Sequence, residues 1–289
     1  MTTEVILTGT GVPHPSPGRA GAGTFVRSGD VRLQFDAGRA TALRLVDAGT
    51  HPTHLDALFL THHHSDHVQD VADVTMSRWL HQQVSSTGPL VIVCPEGPTA
   101  RFVRRMLEPY EDDIAVRTRH TGALPPQFEL ITFNATDGPS EVWRSEDGTV
   151  GVDAVAVHHE PVEAAVAYRI RTPDGVVVVS GDTRVCDEVA QLAAEADVLV
   201  HEACRTTALA AAIAGTVFET IFSYHADTVA LGSMAEQAGV RHLVLTHLIP
   251  APDNEVAVVE FESDVRQGGY RGRVTVGADL ARINVGERV

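Results

Sequence analysis

The chain has 289 residues, 44% hydrophobic and 21% charged, a composition that excludes long disorder and suits one or two globular domains. Thirty-eight acidic residues against 22 basic ones leave a formal charge of −16, which repels a phosphate backbone on average and disfavours a general nucleic-acid binder. All 22 basic residues are arginine, so lysine Schiff bases, a pyridoxal-phosphate anchor and a phosphate-loop lysine are excluded together.

Residues 5–8, 24–27 and 31–35 read as strands, parted by turns such as Gly9-Thr-Gly-Val-Pro13 and Ser28-Gly-Asp30. Residues 39–48 have helical spacing (Ala40, Leu43, Leu45, Val46), closed by Gly49. The run 57–61 is short and apolar up to Thr61, the pattern of a strand buried on both faces; 90–94, 176–180, 198–200 and 243–246 repeat it. Helices predicted over 98–107, 186–196, 228–238 and 255–267 alternate with these strands. The turn-rich segment 115–149 is expected to continue as antiparallel strands. Doubly buried strands with helices between them predict a layered α/β sandwich. With no low-complexity linker and no short repeat, one domain is expected over 1–289. Three scattered cysteines (Cys94, Cys186, Cys204) suit neither a disulfide framework nor a four-thiolate zinc site. No basic region precedes an apolar run at the start, and the longest weakly polar stretch, 208–218, is too short to span a bilayer. A soluble, cytoplasmic protein without a membrane partner is expected.

Directly after Thr61 comes His62-His63-His64-Ser65-Asp66-His67, four potential metal ligands in six positions once His63 is set aside. In an extended segment His62 and His64 point the same way and His63 faces away, while the following turn brings Asp66 and His67 toward a second ion. His62 and His64, two apart, do not share one helical face, where a helical metal site would place its ligands at i, i+4. Neutral imidazoles and a carboxylate at the end of a strand suit zinc or a similar first-row divalent ion.

The pattern His62-x-His64-x-Asp66-His67 resembles the signature of the metallo-β-lactamase superfamily, and other landmarks follow in that family's order. Ser180-Gly-Asp182-Thr is similar to the element whose carboxylate bridges two metals, and Leu245-Thr-His247 to the element supplying the last histidine. His158-His159-Glu-Pro-Val, ahead of Ala167-Tyr-Arg-Ile, resembles the third-histidine element; His159 keeps the better register, with His158 the alternative. The resemblance is closest to the ribonuclease Z and arylsulfatase-like branch. Leu7-Thr-Gly-Thr-Gly-Val-Pro, Phe35-Asp-Ala-Gly, Val200-His-Glu-Ala-Cys204 and His225-Ala-Asp carry it, the last standing where the branch has His-Ser-Thr. It extends over about residues 5–250.

The resemblance implies an αββα sandwich, two mixed sheets flanked by helices, with the metal site along one edge. One ion would take His62, His64 and His159, the other Asp66, His67 and His247, with Asp182 bridging. Zinc is expected, with Mn²⁺ or Fe²⁺ as alternatives. Asp66 would also handle the nucleophile's proton, His225 would act as general acid, and Glu202 would orient it. The expected reaction is hydrolysis of a small-molecule ester (phosphodiester, sulfate ester, carboxylic ester or lactone) by a hydroxide bridging the metals. Ribonuclease Z-type processing of tRNA 3′ ends is the disfavoured alternative. Bacterial and archaeal enzymes of that kind carry a long arm between the Tyr-Arg-Ile and Ser-Gly-Asp elements, where this chain has only Arg171-Thr-Pro-Asp-Gly-Val176. A metal-free binding module is a further alternative, opposed by the presence of all seven ligands. The insertion at about 205–224 is too apolar for a free loop. It reads as a helical flap over the cleft, a homodimer contact or an ordinary packed helix. As a flap, its Phe218, Ile221, Phe222 and Tyr224 would favour a substrate with an apolar portion. Trp79 is expected in the same cleft or in the core.

Overall fold

The computed structural model describes residues 2–82, 84, 87–136 and 138–286. One sheet holds β1 (Thr3–Gly9), β2 (Gly23–Ser28), β3 (Val31–Phe35), β4 (Ala57–Phe59), β5 (Leu90–Pro95) and β6 (Phe128–Phe133) in that spatial order. The other runs β7 (Ser140–Arg144), β8 (Gly151–Ala156), β9 (Val166–Thr172), β10 (Gly175–Val179), β11 (Val198–Cys204), β12 (His242–Ile249) and β13 (Arg273–Val276). A last strand, β14 (Arg282–Asn284), returns to flank β1. Strands β3 to β6 and β10 to β13 are parallel; the remaining pairs are antiparallel.

Period-2 alternation explains why the strands are apolar on both faces. In β1, Val5 and Leu7 enter the core between the sheets with Phe35, Phe59, Tyr168 and Val200, while Ile6 packs outward with Leu45, Val71 and Val74. In β10, Val177 and Val179 point inward, and Val178 packs outward with Val189, Leu192 and Leu231. Helices therefore cover both outer faces, giving the αββα layering. Each fully buried Val, Leu or Ile contributes roughly 1.5–3 kcal/mol.

The segment 115–149 departs from the expected antiparallel strands. Its start completes a helix, Glu111–Thr121, which opens on three acidic residues and ends at Gly122 in a left-handed C-cap. Phe128–Phe133 is a strand but pairs in parallel with β5; only Ser140–Arg144 is antiparallel, against β8.

Two cross-sheet ties fix the approach to the histidine tract. The Tyr168 hydroxyl, fully buried on β9, donates to the Leu60 carbonyl at 2.7 Å, and Val166 N–H donates to Thr61 O at 3.1 Å. Tyr168→Phe is expected to lower unfolding free energy by about 1–2 kcal/mol, read from urea melts, because it orphans a buried acceptor. Gly38 serves the same region: a Cβ there would lie 2.1 Å from the Asp66 carbonyl. Among the described residues, no helix is long and apolar enough to cross a membrane.

Candidate metal centre

The site gathers along one edge of the sandwich, where strands end. β4 releases the chain at Phe59, so His62 and His64 lie on an extended segment, and the short helix Ser65–Val68 carries Asp66 and His67. His159 follows β8, and Asp182 follows β10. His247 arrives differently. Pairing of β11 with β12 slips by one residue, so that Glu202 faces Thr246 and Ala203 faces Leu248. The extra residue, His247, takes the left-handed backbone at φ 44°. Such a bulge re-aims a side chain at a cost of order 1–3 kcal/mol.

The donors converge. His159 Nε2 stands 3.2 Å from His64 Nδ1 and 3.8 Å from Asp182 Oδ2. His62 Nε2 lies 4.0 Å from the same carboxylate oxygen. On the other side, His247 Nε2 is 3.2 Å from Asp66 Oδ2 and 3.4 Å from Asp182 Oδ2, and His67 Nε2 is 3.2 Å from Asp182 Oδ1. Ligand atoms of His62, His64, His159 and Asp182 thus form one group within 4.8 Å of each other, and those of Asp66, His67 and His247 form another. Asp182 lies between them. His158 does not join: its imidazole faces Glu160 and Glu188. His63 also stands outside both groups.

The donor set fits divalent ions. His62 Nε2, His67 Nε2 and Asp182 Oδ1 are buried without a hydrogen-bond partner, which a protein tolerates rarely. Burial, reinforced by His159, holds His64 near a pKa of about 4, and burial with His67 holds His62 well below the ordinary imidazole value. Both imidazoles are neutral, the form a metal needs. Burial works against the Asp182 carboxylate, but His247 and His67 outweigh it and keep it ionised.

Two supports were not anticipated from the sequence. Asp36, at the end of β3, accepts from Thr61 N–H and the Thr61 hydroxyl, and its Oδ2 lies 2.8 Å from His67 Nδ1. It thereby aims His67 Nε2 inward. The only sign was an acid directly after a buried strand, in Phe35-Asp-Ala-Gly. The Tyr224 carbonyl does the same for His159 Nδ1, at 3.3 Å. A backbone acceptor leaves no mark in sequence. Asp36→Asn is expected to weaken zinc affinity about 10–100-fold, measured by competitive chelator titration.

Beside this cluster, His225 Nδ1 pairs with Glu202 Oε1 at 2.9 Å, and the same oxygen accepts Thr183 N–H at 2.8 Å. Burial pulls the His225 pKa down, but the Glu202 carboxylate prevails and lifts it to about 9. The insertion forms two short helices, Thr206–Ile213 and Val217–Phe222. Phe218, Ile221, Phe222 and Tyr224 wall a cleft of about 430 Å³, with His64, His159, Asp182, His225 and His247 at its floor. Trp79 is absent from this cleft; it is buried, with its indole N–H on the Leu124 carbonyl.

Comparisons with known proteins bear on the family and the fold. Residues 29–248 match the Beta-lactamase superfamily domain, and the chain belongs to that superfamily of hydrolases. Within it, the chain is 36% identical over 294 positions to "Ribonuclease Z" of Mycobacterium bovis (strain BCG / Pasteur 1173P2), covering 99% of each. Coverage so complete leaves no long insertion in that relative either. Among solved structures, the metallo-beta-lactamase fold protein YhfI from Bacillus subtilis superposes with a TM-score of 0.73 at 21% identity, covering 98% of this chain and all of that one. Human tRNase Z, short form, superposes with a TM-score of 0.67 at 20% identity, covering 98% and 99%. At these identities both report on the fold alone.

Proposed function

We propose that this chain is a two-metal hydrolase, with zinc the expected ion, that cleaves a small-molecule phosphodiester. The observation that carries the reading is Asp182, grouped with His62, His64 and His159 while its carboxylate also lies 3.2 Å from His67 Nε2 and 3.4 Å from His247 Nε2, at the floor of a walled cleft. Held by His62, His64, His159 and Asp182 and by Asp66, His67 and His247, two divalent ions would lower the pKa of a water and offset charge developing on the reacting oxygens. The chain's own residues do the rest. Asp66, buried and facing His247, accepts the proton of the attacking water on its carboxylate. His225, pinned through Nδ1 by Glu202, turns Nε2 free to protonate the departing oxygen. Glu202 is itself fixed, since Thr183 N–H donates to it and its own N–H lies 3.2 Å from Ser180 Oγ. A cytoplasmic setting belongs to the same reading, supported by three cysteines that remain free thiols.

Cleavage of tRNA precursors is the second reading, favoured by the name of the 36%-identical relative. Against it stands the formal charge of −16, which repels a phosphate backbone on average; the tight β9–β10 hairpin, with Thr172 paired to Gly175, does not discriminate, because that relative carries no long insertion either. The test is a zinc-reconstituted panel of nitrophenyl phosphodiester, phosphomonoester, sulfate and acetate esters, lactones, and a 3′-labelled pre-tRNA. Turnover concentrated on the phosphodiester supports the proposal. Faster cleavage of pre-tRNA establishes the second reading, and turnover confined to another ester replaces both.

A further inference from the structure

The cleft's walls differ from its floor. The floor carries the imidazoles and Asp182; the walls above it are Phe218, Ile221, Phe222 and Tyr224 on one side and the loop of Val12 and Pro13 on the other. No arginine lines the cleft among the described residues, and the chain has no lysine. Beyond the floor the lining adds the polar side chains of His14 and Ser16 but no guanidinium or ammonium group, so no permanent cation awaits a second phosphate. Phe218 leaves 44% of its surface exposed although it packs 5.6 Å from the Phe222 ring, so the aromatic wall has apolar area still to bury.

The wall is also placed relative to the proton donor. His225 follows Tyr224 directly, with ring centroids 5.5 Å apart, and its ring lies 5.2 Å from that of His159 and 5.7 Å from that of His247. The imidazole that would protonate the departing oxygen thus stands at the junction of the aromatic wall and the floor. A group leaving toward His225 leaves along Tyr224, Phe222 and Phe218.

We infer that the substrate is a phosphodiester with one reacting phosphate and an uncharged, apolar leaving alcohol, seated against Phe218, Ile221 and Phe222. This rests on the phosphodiesterase reading above and deepens it. In the balanced step, the water oxygen bonds phosphorus and the ester P–O bond breaks. Its electron pair stays on the alcohol oxygen, which takes a proton from His225. The proton lost by the water reaches Asp66 and returns to His225 through solvent. The products are a phosphate monoester and an apolar alcohol.

The test uses the zinc-loaded full chain and ethyl 2-phenylethyl phosphate, a mixed diester of two primary alcohols of similar leaving ability. Its product ratio therefore reports which group occupies the leaving side. The wild-type protein is expected to release 2-phenylethanol over ethanol by roughly 10- to 100-fold, the discrimination an apolar pocket supplies. In Phe218→Ala with Phe222→Ala the ratio is expected to fall toward one, while zinc content holds. These rings lie on a largely exposed helix, so the variant keeps the core, and circular dichroism verifies it. A wild-type ratio near one or favouring ethanol overturns the inference, as does a ratio the double variant leaves unchanged. If no phosphodiester in the panel is cleaved, it is the underlying reading that fails, and the two failures are distinct.

Discussion

Asp182→Ala is expected to lose both metal ions and to lower kcat/KM for a phosphodiester at least about a thousandfold, the several kcal/mol that metal-ion charge stabilisation supplies. Asp182 alone reaches both donor groups: its Oδ2 faces His159 and His247, and its Oδ1 faces His67. His64 contributes to one group only. His64→Ala is therefore expected to retain about one equivalent of zinc and still lose most turnover. His63→Ala, outside both groups, is expected to keep both equivalents and near-normal rates. Elemental analysis of the three purified variants, alongside their kinetics, checks the assignment. Full metal content in Asp182→Ala, or a comparable loss in His63→Ala, overturns it.

Of the seven side chains gathered here, His62, His64, Asp66 and His67 were legible from residue type at the end of a buried strand, whereas His159, Asp182 and His247 came from the family resemblance. His62, His64, Asp66 and His67 follow one buried strand, and Asp182 and His247 follow or interrupt two others. Doubly buried runs such as 176–180 were equally legible, since a strand covered on both faces has no polar side. What the sequence hid was geometry without a compositional mark. The bulge that turns His247 inward shows only as a one-residue slip in pairing. The Tyr224 carbonyl is invisible in any sequence, and Asp36 entered only within the Phe35-Asp-Ala-Gly resemblance, with nothing to name His67 as its partner. The segment 115–149 failed for a related reason. Glu111–Thr121 contains no buried residue, so it has no apolar stripe to give a helical period. β6 is parallel because its chain crosses over through that helix rather than through a turn.

His225→Ala is expected to slow phosphodiesters with poor leaving groups by roughly 10²- to 10⁴-fold, the range of general acid catalysis, and nitrophenyl diesters far less. The reason lies in where charge develops: an alkoxide must be protonated as it departs, whereas nitrophenolate leaves unassisted. One competing role exists in the geometry, because an imidazole nitrogen of His225 lies within 4.8 Å of ligand atoms of Asp182 and His247. As a ligand, His225 would give up metal when removed and would slow every substrate alike. As an acid, it leaves zinc content intact and slows substrates according to leaving-group pKa. Glu202→Gln sharpens the distinction, since it keeps the side chain's size but removes the charge 2.9 Å from His225 Nδ1. A proton donor that loses this carboxylate becomes the stronger acid but is less often protonated at neutral pH, so the leaving-group dependence is expected to steepen at unchanged zinc content. Equal slowing of alkyl and nitrophenyl diesters in His225→Ala removes the proton-donor role.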